Sequence, residues 1–167
     1  MRVALAIVVP LVAALLQGSV VPFIAIGGAR PNLVVLVAAC WSVATGAREG
    51  VWWAFVGGLA ADLLSGGPLG AQALAALVPV TAVGMADTSL RPRSAPTAAV
   101  LVGAASLGAG VIYFAILALV GAVAGDPAAV LTAIVGGAIY NGVLAIATFP
   151  LLRGVRRTTE KQASFGW

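Results

Sequence analysis

The stretch GLAADLLSGGPLG, residues 58–70, places a carboxylate, Asp62, inside an apolar run and follows it with two glycines and a proline. Asp62 is the only Asp, Glu, Lys or Arg between Glu49 and Asp87. A helix that spans a bilayer takes about 20 predominantly apolar residues. The uncharged run before Asp62, residues 50–61, is too short for that unless the helix continues through the aspartate. Carried on to Ser65, where Gly-Gly-Pro stops it, the helix reaches about 24 Å at 1.5 Å per residue. Asp62 is therefore expected inside, or at the outer edge of, a short third helix.

Working outward, the charges divide the chain into uncharged runs at 3–29, 31–47, 50–61, 63–86, 94–125 and 127–152. The chain is 62% hydrophobic and 8% charged, with a mean hydropathy of +1.12. A soluble domain carries about 25% charged residues, so this composition reads as a polytopic membrane protein. The predicted fold is all-α, with six transmembrane helices at about 3–25, 32–46, 50–65, 69–86, 97–124 and 128–152. They form one domain, followed by a basic cytoplasmic tail at 153–167 that is expected to be poorly ordered. A re-entrant hairpin over 31–65 is rejected because it would bury Arg48 and Glu49, and a central Arg costs about 2.5–3.5 kcal/mol. Residues 2–22 look like a signal peptide, but the apolar stretch runs on to Ile26, so the first helix is expected to stay uncleaved. Segment 27–32 is expected to be a turn.

The basic residues separate by side. Arg2, Arg48, Arg91, Arg93, Arg153, Arg156, Arg157 and Lys161 fall on one side, and Arg30 alone on the other. Such a bias puts both termini in the cytoplasm. The net charge of +4 is thus arranged for a bilayer and not for nucleic acid. Touching anionic lipid is the expected role of the loop 87–96 and of the tail.

Chemistry is constrained by what the chain lacks. It has no histidine, and its single cysteine, Cys40, lies in an apolar run. A disulfide framework, a Cys/His metal site and a Ser/His/Asp triad are excluded. An intramembrane aspartyl pair needs two carboxylates, and only Asp62 lies at membrane depth. No phosphate loop occurs, nor the chain of ionisable groups expected of an ion pump. No catalytic residue, metal or cofactor is expected, and the protein is not read as an enzyme.

The remaining polar residues at membrane depth are the candidates. Asp62 has small neighbours on its helix face and a structural and a functional reading. Structurally it accepts amide hydrogen bonds from Gly66, Gly67 or Leu69, or pairs with Arg30, to hold the outer turn. Functionally it is a binding or relay carboxylate. A carboxylate near a helix C-terminus opposes the macrodipole and needs some compensation. Gln17, Asn32, Gln72 and Asn141 are expected to bond between helices. Pro10 and Pro79 are expected to mark kinks. Glycine and alanine cluster at 54–61 and 103–110, around Gly58 and Gly108, and these clusters are expected to admit another transmembrane helix.

Three blocks carry a family likeness. Leu15-Leu16-Gln17 with Pro22, then Gly28 with Pro31-Asn32-Leu33, precede the longest block: Gly58-Leu59, Asp62-Leu63-Leu64, Ser65-Gly66 and Pro68-Leu69-Gly70. Together they resemble the MreD family, the small membrane proteins of the bacterial rod-shape system, over about the first half of the chain. Asn32 stands where that family usually has Asp. The resemblance implies a non-enzymatic scaffold in the cytoplasmic membrane that binds MreC, alongside MreB, RodA and a class B penicillin-binding protein, and supports lateral peptidoglycan synthesis. The fold it implies is similar to the six-helix substrate-binding subunits of energy-coupling-factor transporters. That likeness supplies an alternative, a small-molecule-binding or transport subunit, which would need several polar groups converging on a pocket. The outer loops offer little for one beyond Arg30, Asp62 and Asp126.

Overall fold

The computed structural model describes residues 2–86, 94–122 and 126–164, with side chains over 4–86, 94–122 and 126–158. Six α-helices follow one another: α1 (Arg2–Ser19), α2 (Leu33–Thr45), α3 (Ala47–Ser65), α4 (Ala71–Met85), α5 (Ala95–Leu119) and α6 (Pro127–Ser164). No strand occurs among the described residues. Among the described residues two helices are long and apolar enough to cross a membrane, Ala95–Leu119 and Pro127–Thr158.

The helix ends differ from expectation in ways that local chemistry explains. The first helix stops at Ser19 and not near residue 25, because Gly18 weakens it and Pro22 starts a separate 3-10 turn, Val21–Phe23. The connection expected at 47–49, between helices 32–46 and 50–65, shrinks to one residue, Gly46, whose φ of 110° only glycine adopts readily. Arg48 and Glu49 accordingly belong to the first turn of α3, where the carboxylate suits the helix dipole. Glu49 also accepts a hydrogen bond from the Trp41 indole at 3.0 Å, and Trp41 stacks on Trp53 at 4.4 Å. The fifth helix ends at Leu119 instead of 124. The tail is the largest correction, since α6 continues unbroken to Ser164. Beyond Gly154 it contains good helix formers and no proline, so extending an existing helix costs little. Part of the expected basic loop, residues 87–93 with Arg91 and Arg93, lies outside the described residues, as do residues 165–167 and the side chains of Arg2 and Lys161.

α2 is the centre. It touches each of the other five helices, and Ala38, Ala39, Cys40 and Ser42 are fully buried. The sequence LVVLVAACWSVAT is apolar on every side, which is the pattern of a helix packed all round. Apart from Trp53, Phe149 and Leu152, the apolar interior outside α2 is built mostly from alanine, glycine and valine, whereas Trp52, Leu63, Val78, Val100, Leu131 and Val143 point outward and are exposed. Large apolar side chains outside and small ones within is the arrangement of a bundle solvated by lipid. The protein is a membrane protein.

The two ends of the bundle differ in charge. At one end Arg156 of α6 donates to the carbonyl of Ala44, at the C-terminus of α2, close to the first turn of α3 with Arg48. A cation suits that end of the helix dipole. Arg30 lies at the opposite end, beside the start of α2.

Candidate functional site

The block 58–70 folds as one device, the α3–α4 hairpin. Gly66 closes α3 in the left-handed region at φ 68°, a common glycine C-cap. Pro68 then accepts from the Ala71 amide at 3.2 Å across a turn whose third residue, Gly70, has φ 87°. That geometry calls for glycine at the third position, as a type II turn does. The chain thus reverses and starts α4 beside the end of α3. Gly58 makes the close approach feasible: a Cβ there would sit 2.5 Å from the Ala73 Cα.

Asp62 is 2% exposed and reaches across to the start of α4. Its carboxylate accepts from the Gln72 amide at 3.0 and 3.2 Å and from the Ala73 amide at 3.4 Å. The bonds expected with Gly66, Gly67 or Leu69 are not made, and neither is an ion pair with Arg30. Gly70 has no side chain to cap α4, so Asp62 takes the place of an N-cap from another helix. The positive end of α4 also offsets the unfavourable position of the carboxylate near the C-terminus of α3. Two of the four otherwise unpaired N–H groups of α4 are satisfied in this way.

The start of α2 repeats the solution with neutral groups. Asn32 caps its own helix, its Oδ1 accepting from the Val35 amide at 3.1 Å. From α1, Gln17 Oε1 accepts from the Leu33 amide at 2.6 Å. From α6, Asn141 Oδ1 accepts from the Asn32 amide at 3.1 Å, while its Nδ2 donates to the Asn32 carbonyl and to Ser106 Oγ at 2.9 and 2.8 Å. Asn141 is fully buried. The approach to this start is a two-residue hairpin: Ile26 and Ala29 exchange backbone bonds around Gly27 and Gly28, both at positive φ. Two central residues at positive φ mark a type I′ turn. Gly136 and Gly137 let this loop lie against α6, since a Cβ on either would meet Ala29 or the Arg30 carbonyl within 3 Å.

Beside these capped starts lies a cavity of about 510 Å³, reached by Gln17, Arg30, Asn32, Gln72, Ser106, Tyr113 and Asn141. The structure therefore gathers polar groups that the sequence scatters, which corrects the expectation that the outer side has little to offer. Asp62, Gly58, Pro68, Gly70 and Gly108 do not line it. Among the described residues no cluster of three or more His, Cys, Asp or Glu is placed to hold a metal.

Residues 1–155 match the family described as rod shape-determining protein MreD. The chain belongs to the MreD family. Membership carries a role in determining rod shape. No curated protein and no solved structure matches the chain. The three blocks of likeness to the MreD family prove to be the two capped helix starts. Asn32, in place of the usual Asp, keeps the capping oxygen, and Asn and Asp serve about equally well at an N-cap.

The small-residue clusters fare differently from expectation. Gly58 packs on Ala73, Gly57 on Val34 and Pro10, Gly108 on Pro79 and Gly110 on Ile134. These glycines have mates inside the bundle and so are not vacant seats for a helix from another protein. Ser106, Tyr113, Gly136 and Gly137 were not anticipated as site residues. The adjacent Gly136-Gly137 pair is a signal for close backbone approach, but nothing local to Ser106 or Tyr113 marks them out.

Proposed function

We propose that this MreD-family chain is a non-enzymatic scaffold of the bacterial cell-elongation complex. It crosses the cytoplasmic membrane six times with both termini inside. It holds MreC through that protein's spanning helix and supports lateral peptidoglycan synthesis with MreB, RodA and a class B penicillin-binding protein. The observation that supports this reading is the use made of the polar side chains. Asp62, Gln17, Asn32 and Asn141 are all engaged on helix ends, so they build a rigid frame instead of a reaction centre. The test is a pull-down in mild detergent with MreC co-expressed, together with depletion in a rod-shaped cell. Capture of MreC and rounding of the cells are expected. No capture and unchanged rods would discard the scaffold. In a Cys40→Ala background, cysteines at Arg30 and Asp126 should label from outside intact cells and those at Arg48 and Arg157 should not. Labelling at Arg48 would break the six-span frame.

A second reading, a small-molecule-binding membrane subunit, is favoured by the cavity of about 510 Å³. Ligand sites commonly have volumes of about 300–1,000 Å³ with apolar walls and a few placed polar groups.

A further inference from the structure

The cavity has a floor, walls and a set of unused donors. Its floor, Asn141 with Ser106 and Asn32, is already bonded to itself and to the start of α2. Its walls are apolar, built from residues such as Val21, Val35, Phe114, Leu117 and Ile134. Three lining side chains make no hydrogen bond among the described residues: the Arg30 guanidinium, the Gln72 carboxamide and the Tyr113 hydroxyl. All three can donate, and Arg30 is the only charged residue on the lining. The Asp62 carboxylate, held by the Gln72 and Ala73 amides, is not on the lining, although it stands near enough to Tyr113 to act on it electrostatically.

We propose that this cavity binds an organic anion with an apolar body, its carboxylate or phosphate head on Arg30, Gln72 and Tyr113 and its body against the apolar walls. The inference rests on the second reading above and adds the chemistry of the ligand. An anion is selected because Arg30 is the one charged side chain on the lining and no carboxylate is part of it, and a bond from a guanidinium to an anion is about twice as strong as a neutral one. An apolar body is selected because most of the lining would otherwise hold water without hydrogen-bonding partners.

The test uses the full chain in mild detergent, with decanoate and decanol as probes of equal length and different charge. Decanoate is expected to bind about tenfold tighter than decanol, the worth of one charge-assisted bond. Arg30→Gln should remove that difference, and Tyr113→Phe should reduce it. Ala133→Phe, on the lining, should block both probes. Gln72→Leu, which leaves the backbone amide on Asp62, replaces it if Ala133→Phe does not fold and should weaken decanoate. Equal binding of the two probes, unaffected by Arg30→Gln, overturns the anion and leaves the second reading standing. Failure of the unmodified protein to bind either, with no co-purifying small molecule in its native mass spectrum, overturns both. A final arm identifies the source. Enrichment of phosphatidylglycerol over phosphatidylcholine around the protein in mixed bilayers assigns the head to a lipid, and decanoate binding without enrichment assigns it to a soluble anion.

Discussion

α2 and α4 begin inside the bundle, whereas α5 and α6 run through it. With 13 and 15 residues, α2 and α4 are roughly 20 and 22 Å long, against roughly 38 Å for the 25 residues of α5. The hydrocarbon core of a bilayer is about 30 Å thick. The start of α2 meets Ser106, about three turns into α5, and Asn141, about four turns into α6. A helix that starts at such depth has no water for its first amides, so protein groups must satisfy them. That is the work of Gln17, Asn32 and Asn141 on α2 and of Asp62 on α4. α5 and α6 have no such need, and their sequences carry no comparable block. The family motifs therefore sit at the buried, capped helix starts, and the long spans are left to hydropathy alone.

The hardest way to break this contrast is to force the hairpin apart. Gly58→Leu puts a branched side chain where even a Cβ would lie 2.5 Å from the Ala73 backbone, and no flexible atom can give way. The expected result is loss of roughly 3 kcal/mol or more and little folded protein in the membrane fraction. Gly108→Leu meets only the Pro79 ring, at 3.3 Å, and should be milder. Equal folded yield for Gly58→Leu and the unmodified chain would refute the close approach.

Much of this was legible in the sequence, and the reasons differ by residue. The number and order of the helices followed from charge spacing. The break at Gly66 and Gly70 followed from glycine and proline chemistry. That Asp62 needed a compensating donor was also readable, because its place near a helix C-terminus is unfavourable. Which amides would supply it was not, since that depends on how the turn 66–70 folds α4 back onto α3. Periodicity likewise shows that residues 54–61 have a small face but not what covers it. The cavity was the least legible feature, because its lining comes from five helices, the loop between α1 and α2, and Ala122 after α5.

Capping substitutions come next in size. Asn141→Ala leaves the Asn32 amide and carbonyl and the Ser106 hydroxyl without their partner, and Asp62→Ala leaves the Gln72 and Ala73 amides bare. Each should cost on the order of 1–3 kcal/mol, read as a lower midpoint in thermal or denaturant unfolding in detergent. Asp62→Asn keeps an acceptor oxygen and loses only the charge, so it should fall between Asp62→Ala and the unmodified chain. If Asp62→Ala unfolds normally yet abolishes rod shape, the aspartate acts directly in function and the capping account of it fails.

The smallest effect is expected on the same helix as Asn141, on its opposite face. Ile139 and Val143 stand two residues either side of Asn141 and are 64% and 61% exposed. In lipid, an apolar side chain meets hydrocarbon whether it is packed or not, so trimming it removes no burial from water. Ile139→Ala with Val143→Ala should therefore shift stability by less than about 0.5 kcal/mol, in the range of ordinary surface changes. The same double change made at Asn141 and Ser106 would be severe, so the pair of experiments compares two faces of one stretch of helix. A loss of MreC capture by the Ile139/Val143 variant, with unfolding unchanged, would place the partner helix on this outward stripe. A large loss of stability in the protein purified alone would instead mean that this face is covered within the folded chain or by a second copy, and the contrast between capped starts and lipid-facing spans would need redrawing.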